Sequence, residues 1–177
     1  MSVSSPYRLN VNEQAEKLAQ FMVRADDMHD LGRDLDVSKR TRIVFAGMGS
    51  SHFASYETWE SFSRIGLPAW WLPASELIDV GAGLLTPGTL LCLTSQSGES
   101  AEVTQVLKEF DLSGIDVLGI TNNTQSNLAK HSNYLVGLAA SGIDHVGWSA
   151  NVRNQVAVSA PVNKDNMIGL RGHVYHD

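Results

Sequence analysis

Apolar residues fall along this chain in two alternating kinds of run. Short, continuous, partly β-branched runs are followed by stretches in which apolar positions recur every three or four residues. The first periodic stretch holds Val11, Ala15, Leu18 and Met22 on one face, with Asn10 or Asn12 as start signal and Gly32 as stop. TRIVFAG, residues 41–47, then reads as a buried strand bounded by glycine. After GMGSSHFAS a helix is predicted through Trp59 and Phe62 to Ile65, stopped by Gly66 and Pro68. AWWLP is a second short strand. Ser75 opens a brief helical turn, SELIDV, and the following glycines and Pro87 mark a loop. TLLCLT is the third strand and SQSGES follows it directly. Val103, Val106, Leu107 and Phe110 then line one face of an amphipathic helix that starts near Ser100. IDVLGIT is the fourth strand, SNLAKH a short helix after a TNN turn, and NYLVGLA the fifth strand. A last helix is predicted from Ser149 to Ser159, ended by Pro161.

Strands that are apolar throughout, alternating with helices, predict a parallel sheet covered on both faces. With right-handed crossovers, the simplest arrangement is an α/β, doubly wound, flavodoxin-like five-stranded parallel sheet. Residues 1–40 form a helical lead-in, 41–160 a single domain and 161–177 an irregular tail. In such sheets ligands bind beyond the carboxyl ends of the strands, near the point where the strand order reverses. The two serine-rich loops fall at that end, after strands one and three.

Charge and cysteine usage narrow the chemistry. Thirteen basic against nineteen acidic residues give a formal charge of -6, which disfavours nucleic acid and anionic membrane as partners. The one cysteine, Cys92, leaves no intrachain disulfide and no cysteine-rich zinc site. The scattered histidines, including His131, His145, His173 and His176, suggest no metal site. No apolar run reaches membrane-spanning length and the start is polar, so a reduced, cytoplasmic protein is expected.

In the first loop Gly47 and Gly49 permit a tight turn, and Ser50 and Ser51 follow where free N–H groups at a helix start favour an anion. The residues after Gly-x-Gly do not continue a dinucleotide fingerprint, and no cofactor is implied. The plain alternative is that Ser50 or Ser51 only caps a helix. The second loop crowds Ser95, Gln96, Ser97 and Ser100 around Gly98. It offers hydroxyls and backbone N–H groups to one phosphate without any lysine or arginine. Here the alternative is an ordinary N-cap at Ser97 within a hydrophilic turn.

Together these loops resemble the sugar isomerase (SIS) domain, and within it the first SIS half of glucosamine-6-phosphate synthase and its relatives. Gly49-Ser50-Ser51 is similar to that family's Gly-Thr-Ser, and Ser95-Gln96-Ser97-Gly98-Glu99-Ser100 to its Ser-Gln-Ser-Gly-Glu-Thr. Ser75-Glu76 matches a Ser-Glu pair between the loops, and SNLAKHSNY the stretch before the fifth strand. The likeness runs from about Arg42 to about Val158. It implies that Ser51, Ser95, Ser97, Ser100 and the Gln96 amide hold the phosphate of a phosphorylated sugar or aminosugar. It also implies that Ser50 contacts the sugar and Val146 contributes a main-chain contact.

The resemblance carries an expectation of aldose–ketose isomerisation or amino transfer on a hexose or hexosamine 6-phosphate, in a homo-oligomer or beside a companion SIS half. The departures are as specific. The chain begins Met1-Ser2, so no glutaminase step is expected. The second set of serine loops, with the family's catalytic glutamate, histidine and lysine, has no counterpart. Trp148 and Ala150 stand where the family has serine and lysine after its fifth strand. Isomerisation needs a base to move a proton between C1 and C2, and the residues near the loops offer His52, Glu76 and Glu99. Each has a bland alternative: His52 on a helix surface, Glu76 opening its own helix, Glu99 favouring a helix N-terminus. The alternatives to an enzyme are a non-catalytic phosphosugar sensor and a truncated half of a longer enzyme. Trp59, Trp70 and Trp71 read as core or interface residues, with Trp70 and Trp71 on opposite sides of their strand.

Overall fold

The computed structural model describes Leu31 and residues 34–137. The predicted helices around residues 11–22 and 149–159, the tail, and Val146 lie outside them. After a 3-10 turn at Val37–Lys39 come β1 (Arg42–Gly47), α1 (Ser50–Ala54), α2 (Tyr56–Arg64), β2 (Ala69–Pro73) and α3 (Ala74–Leu84). Then follow β3 (Thr89–Thr94), α4 (Ala101–Glu109), β4 (Asp116–Thr121), α5 (Asn127–Lys130) and β5 (Tyr134–Gly137). The five strands pair in the order β2-β1-β3-β4-β5, all parallel. That is the expected doubly wound sheet, and its order reverses between β1 and β3.

Alternation along each strand divides the apolar residues between two cores. Ile43, Phe45, Leu90, Cys92, Leu118, Ile120 and Val136 face one side, with Ala54 and Phe62 of the first two helices. Val44, Ala46, Leu91, Leu93 and Val117 face the other, under Leu77 of α3, Val103, Val106 and Leu107 of α4, and Leu128 of α5. Because both faces are covered, the strands read as unbroken apolar runs. Cys92 is buried in this sheet, and burial pushes its thiol pKa up to about 12, so it is no nucleophile.

Two helices differ from expectation. The helix after the first loop is two helices, broken at Ser55, whose hydroxyl donates to the His52 carbonyl at 2.9 Å. The brief turn at SELIDV is an eleven-residue helix that runs through Gly81 and Gly83. Gly81 is a packing residue: a Cβ there would stand 2.5 Å from Cζ of the Phe110 ring. Arg42 then closes the helix, its Nη1 donating to the Gly83 and Leu84 carbonyls and to Thr86 Oγ1 at 3.0, 3.2 and 2.8 Å. The paired tryptophans of β2 do face opposite ways. Trp70 is exposed beneath the Arg42 guanidinium, and Trp71 packs against the first core.

Leu93 is fully buried in the central strand. Leu93→Ala should lower unfolding free energy by about 2–5 kcal/mol through lost transfer energy and the cavity left behind. Urea unfolding should show a lower midpoint at unchanged slope.

Candidate functional site

The serine loops leave neighbouring strands at the same level, because the β1–β3 register pairs Gly47 with Thr94. The turn after Gly47 folds back so closely that a Cβ there would stand 2.8 Å from the Thr94 carbonyl oxygen and 3.1 Å from the His52 nitrogen. Only glycine lets the first loop lie against the end of β3. The loops therefore share one rim of the sheet, at its reversal point.

Gly49 itself is the N-cap of α1, and Ser50 and Ser51 are the first two residues of the helix. Ser51 is buried in the first turn of that helix. The capping alternative for these serines is thus set aside. His52 is also buried, rather than on the helix surface. Its ring stacks on Trp71, with centroids 3.9 Å apart and planes 13° apart, and the Trp71 indole donates to the His52 carbonyl at 2.9 Å. Burial holds the imidazole pKa below its usual value, opposed in part by the charge of Glu76, so His52 is neutral at neutral pH. Its Nδ1 has no hydrogen-bond partner. Glu76 is exposed in the first turn of α3.

The second loop is held by its own groups. Ser95 N–H donates to the Ile120 carbonyl at 3.0 Å, continuing the β3–β4 ladder. Ser95 and Ser100 share a hydroxyl–hydroxyl bond of 2.8 Å, and Gly98 N–H donates to Ser95 Oγ at 3.1 Å. Ser97 Oγ accepts from Glu99 N–H at 3.1 Å. The N-cap of α4 is Ser100, and its hydroxyl makes no cap bond, so the reading of Ser97 as an N-cap is corrected. The first N–H groups of a helix have no partner within it, and those of α4 follow directly on this loop.

Sequence reasoning missed what fixes the loop from its far side. Gly98 has φ 68° and lies so close to Ser126 and Thr121 that a Cβ would overlap the Ser126 side chain. Its carbonyl accepts from Leu128 N–H at 3.1 Å, and the Gln96 carbonyl accepts from Asn122 N–H at 3.0 Å and Thr121 Oγ1 at 3.2 Å. Glu99 completes the attachment, one oxygen accepting from Asn127 N–H at 2.8 Å and the other from Asn127 Nδ2 at 2.6 Å. Glu99 does favour a helix N-terminus, but that of α5, 28 residues along the chain. These hydrogen bonds hold its carboxyl below the usual glutamate range. No group of metal-ligating side chains occurs among the described residues, and no helix among them is long and apolar enough to cross a membrane.

Gly98→Ala combines left-handed backbone with a steric clash and should cost about 2–4 kcal/mol in urea unfolding. The Glu99 bonds give a pH signature. A carboxyl whose folded pKa is lowered stabilises fully above its unfolded pKa, and this contribution is lost as pH falls through the folded value. The difference in urea midpoint between wild type and Glu99→Gln should therefore be constant above the ordinary glutamate range and shrink as the pH falls below it.

The SIS domain family model matches residues 36–159. Arabinose 5-phosphate isomerase KpsF of Escherichia coli is 28% identical over 132 residues, 74% of this chain and 40% of that protein. The isomerizing glutamine–fructose-6-phosphate aminotransferase of Sulfolobus acidocaldarius is 33% identical over 99 residues, 56% of this chain and 16% of that protein. The chain thus spans well under half the length of these curated relatives. Among solved structures, the sugar isomerase domain of the RpiR transcription factor from Sphaerobacter thermophilus superposes with a TM-score of 0.67 at 18% identity, covering 92% of this chain and 94% of that one. At that identity the likeness speaks for the fold. The family match runs through both serine loops and all five strands, and the chain belongs to the SIS domain family.

Proposed function

We propose that this chain is the phosphosugar-binding module of an aldose–ketose isomerase. One observation carries the reading: the two hydroxyl-rich loops leave adjacent parallel strands at the reversal point of the sheet, in contact through Gly47 and the end of β3. In this reading Ser51, Ser95, Gln96, Ser97 and Ser100 surround the phosphate, Ser50 contacts the sugar, and Val146 adds a main-chain contact. The donors are neutral hydroxyl, amide and N–H groups. They satisfy a dianion by hydrogen bonding without the depth of attraction that a lysine or arginine would add, which suits a metabolite that must leave again.

Isomerisation opens the ring, removes the proton at C2 of the aldose, and returns one to C1 through an enediol. Of the three acid–base candidates, Glu99 is committed to Asn127 and the His52 ring is packed on Trp71. Glu76, exposed at the start of α3, is the carboxylate left for proton transfer. Several relatives carry the name of arabinose 5-phosphate, a five-carbon aldose phosphate, and the aminotransferase relative that of fructose 6-phosphate. Arabinose 5-phosphate therefore stands first among the candidate substrates and the hexose and hexosamine 6-phosphates of the family resemblance second. The engagement of Glu99 and His52 supports a second reading, a phosphosugar sensor without catalysis. Both readings accommodate a homo-oligomer or a companion SIS half.

Calorimetry with arabinose 5-phosphate, fructose 6-phosphate and glucosamine 6-phosphate tests binding. Ser97→Ala should weaken the preferred ligand by about 1–2 kcal/mol, the loss of one hydrogen bond to a charged group. An affinity equal to wild type would remove Ser97 from the phosphate site. A coupled assay of aldose–ketose conversion separates the readings: turnover that Glu76→Gln abolishes supports the isomerase, and binding without turnover supports the sensor.

A further inference from the structure

Glu99 stands two residues from Ser97 in a loop assigned to an anion, where an acidic side chain is electrostatically out of place. By Coulomb's law alone, a carboxylate beside a phosphate repels it. The structure turns this carboxylate out of the loop and onto the first residue of α5, where both oxygens are engaged by Asn127. The same junction receives the Gly98 carbonyl from Leu128 N–H, and Gly98 itself presses on Ser126 and Thr121. Meanwhile the backbone N–H of Glu99 fixes the Ser97 hydroxyl at 3.1 Å. One residue thereby ties the loop outward through its side chain and sets a serine through its main chain.

We propose that Glu99 is a positioning residue that holds the serine loop in its binding geometry by pinning it to the N-terminus of α5. The inference rests on the phosphosugar reading and deepens it: specificity for a phosphate in the second loop depends on a residue that never touches the ligand. Charge makes the proposal easy to separate from simple electrostatics. If Glu99 acted only as a charge, its removal would tighten anion binding. If it positions the loop, removal loosens the loop and weakens binding.

The test is calorimetry of the whole chain with arabinose 5-phosphate and fructose 6-phosphate, together with amide hydrogen exchange in the absence of ligand. Glu99→Ala should weaken binding about tenfold, the size of one net hydrogen bond to a charged group. Glu99→Gln keeps an acceptor for Asn127 and should recover most of that loss, a rescue that general destabilisation would not give. Asn127→Ala retains the main-chain bond and should weaken binding by less, in the same direction, which covers the case of a poorly folded Glu99→Ala. Exchange at Leu128 N–H and Gly98 N–H should quicken in Glu99→Ala while the amides of β1 and β3 are unchanged. Unchanged or tighter binding, or unchanged exchange at these amides, would overturn the proposal. If wild type binds neither sugar phosphate, the phosphosugar reading falls, and exchange alone decides whether Glu99 positions the loop.

Discussion

The pairing of β1 with β3 is the constraint on which the rest depends. Six residues run in parallel register from Arg42 opposite Thr89 to Gly47 opposite Thr94. This pair joins the two halves of the sheet, since β2 lies outside β1 and β4 and β5 lie outside β3. Its side chains supply the centres of both cores, Ile43 and Cys92 on one face, Val44 and Leu93 on the other. Parallel strands also end at the same rim, so two loops far apart in sequence become neighbours without any specific attraction between them. The close approach at Gly47 uses that geometry directly, and any larger residue would push the first loop away from the end of β3.

The loops are braced from opposite directions. Aromatic packing holds the first: His52 stacks on Trp71 of edge strand β2, whose indole returns a hydrogen bond to the His52 carbonyl, while Trp59 donates to Ala69 at 3.2 Å. Polar bonds to β4 and α5 hold the second. The difference follows from the neighbours. The first loop opens into a short helix over the apolar flank of β2. The second passes over the turn TNNTQS, whose amides and hydroxyls need partners once they are partly buried. The Gln96 carbonyl answers that need by accepting from Asn122 N–H and Thr121 Oγ1, and the Gly98 carbonyl and Glu99 carboxylate take the first N–H groups of α5.

What could be read in the sequence follows the range of the forces involved. The strands were legible because both faces of the sheet are covered, which leaves apolar runs with glycine boundaries. The amphipathic helix from Ser100 was legible because Val103, Val106 and Leu107 share one buried face. Helix α3 was cut short in prediction because Gly81 and Gly83 look like loop residues. Gly81 answers instead to Phe110, which packs over it from the end of α4. The break at Ser55 was hidden because the apolar period continues across it. Both loops were visible as concentrations of hydroxyls, yet the cap residues were misplaced: Gly49 and Ser100 take those positions. The bond from Glu99 to Asn127 joins residues that no local pattern connects.

A serine loop that takes a phosphate must solve two problems at once. It must keep its hydroxyls from collapsing onto its own backbone, and it must keep enough order to avoid a large entropic cost on binding. Here the hydroxyls do engage the loop itself, Ser95 with Ser100 and with Gly98 N–H, and Ser97 with Glu99 N–H. Those of Ser95 are short-range bonds that, in the phosphosugar reading, a phosphate oxygen replaces, while the Glu99 N–H keeps the Ser97 hydroxyl in place. The carbonyls of Gln96 and Gly98 are different, because no anion can use them. They are the groups tied down to β4 and α5. The acceptors that an anion cannot use carry the anchoring, and the exchangeable hydroxyls and N–H groups are left at the rim beside the first loop.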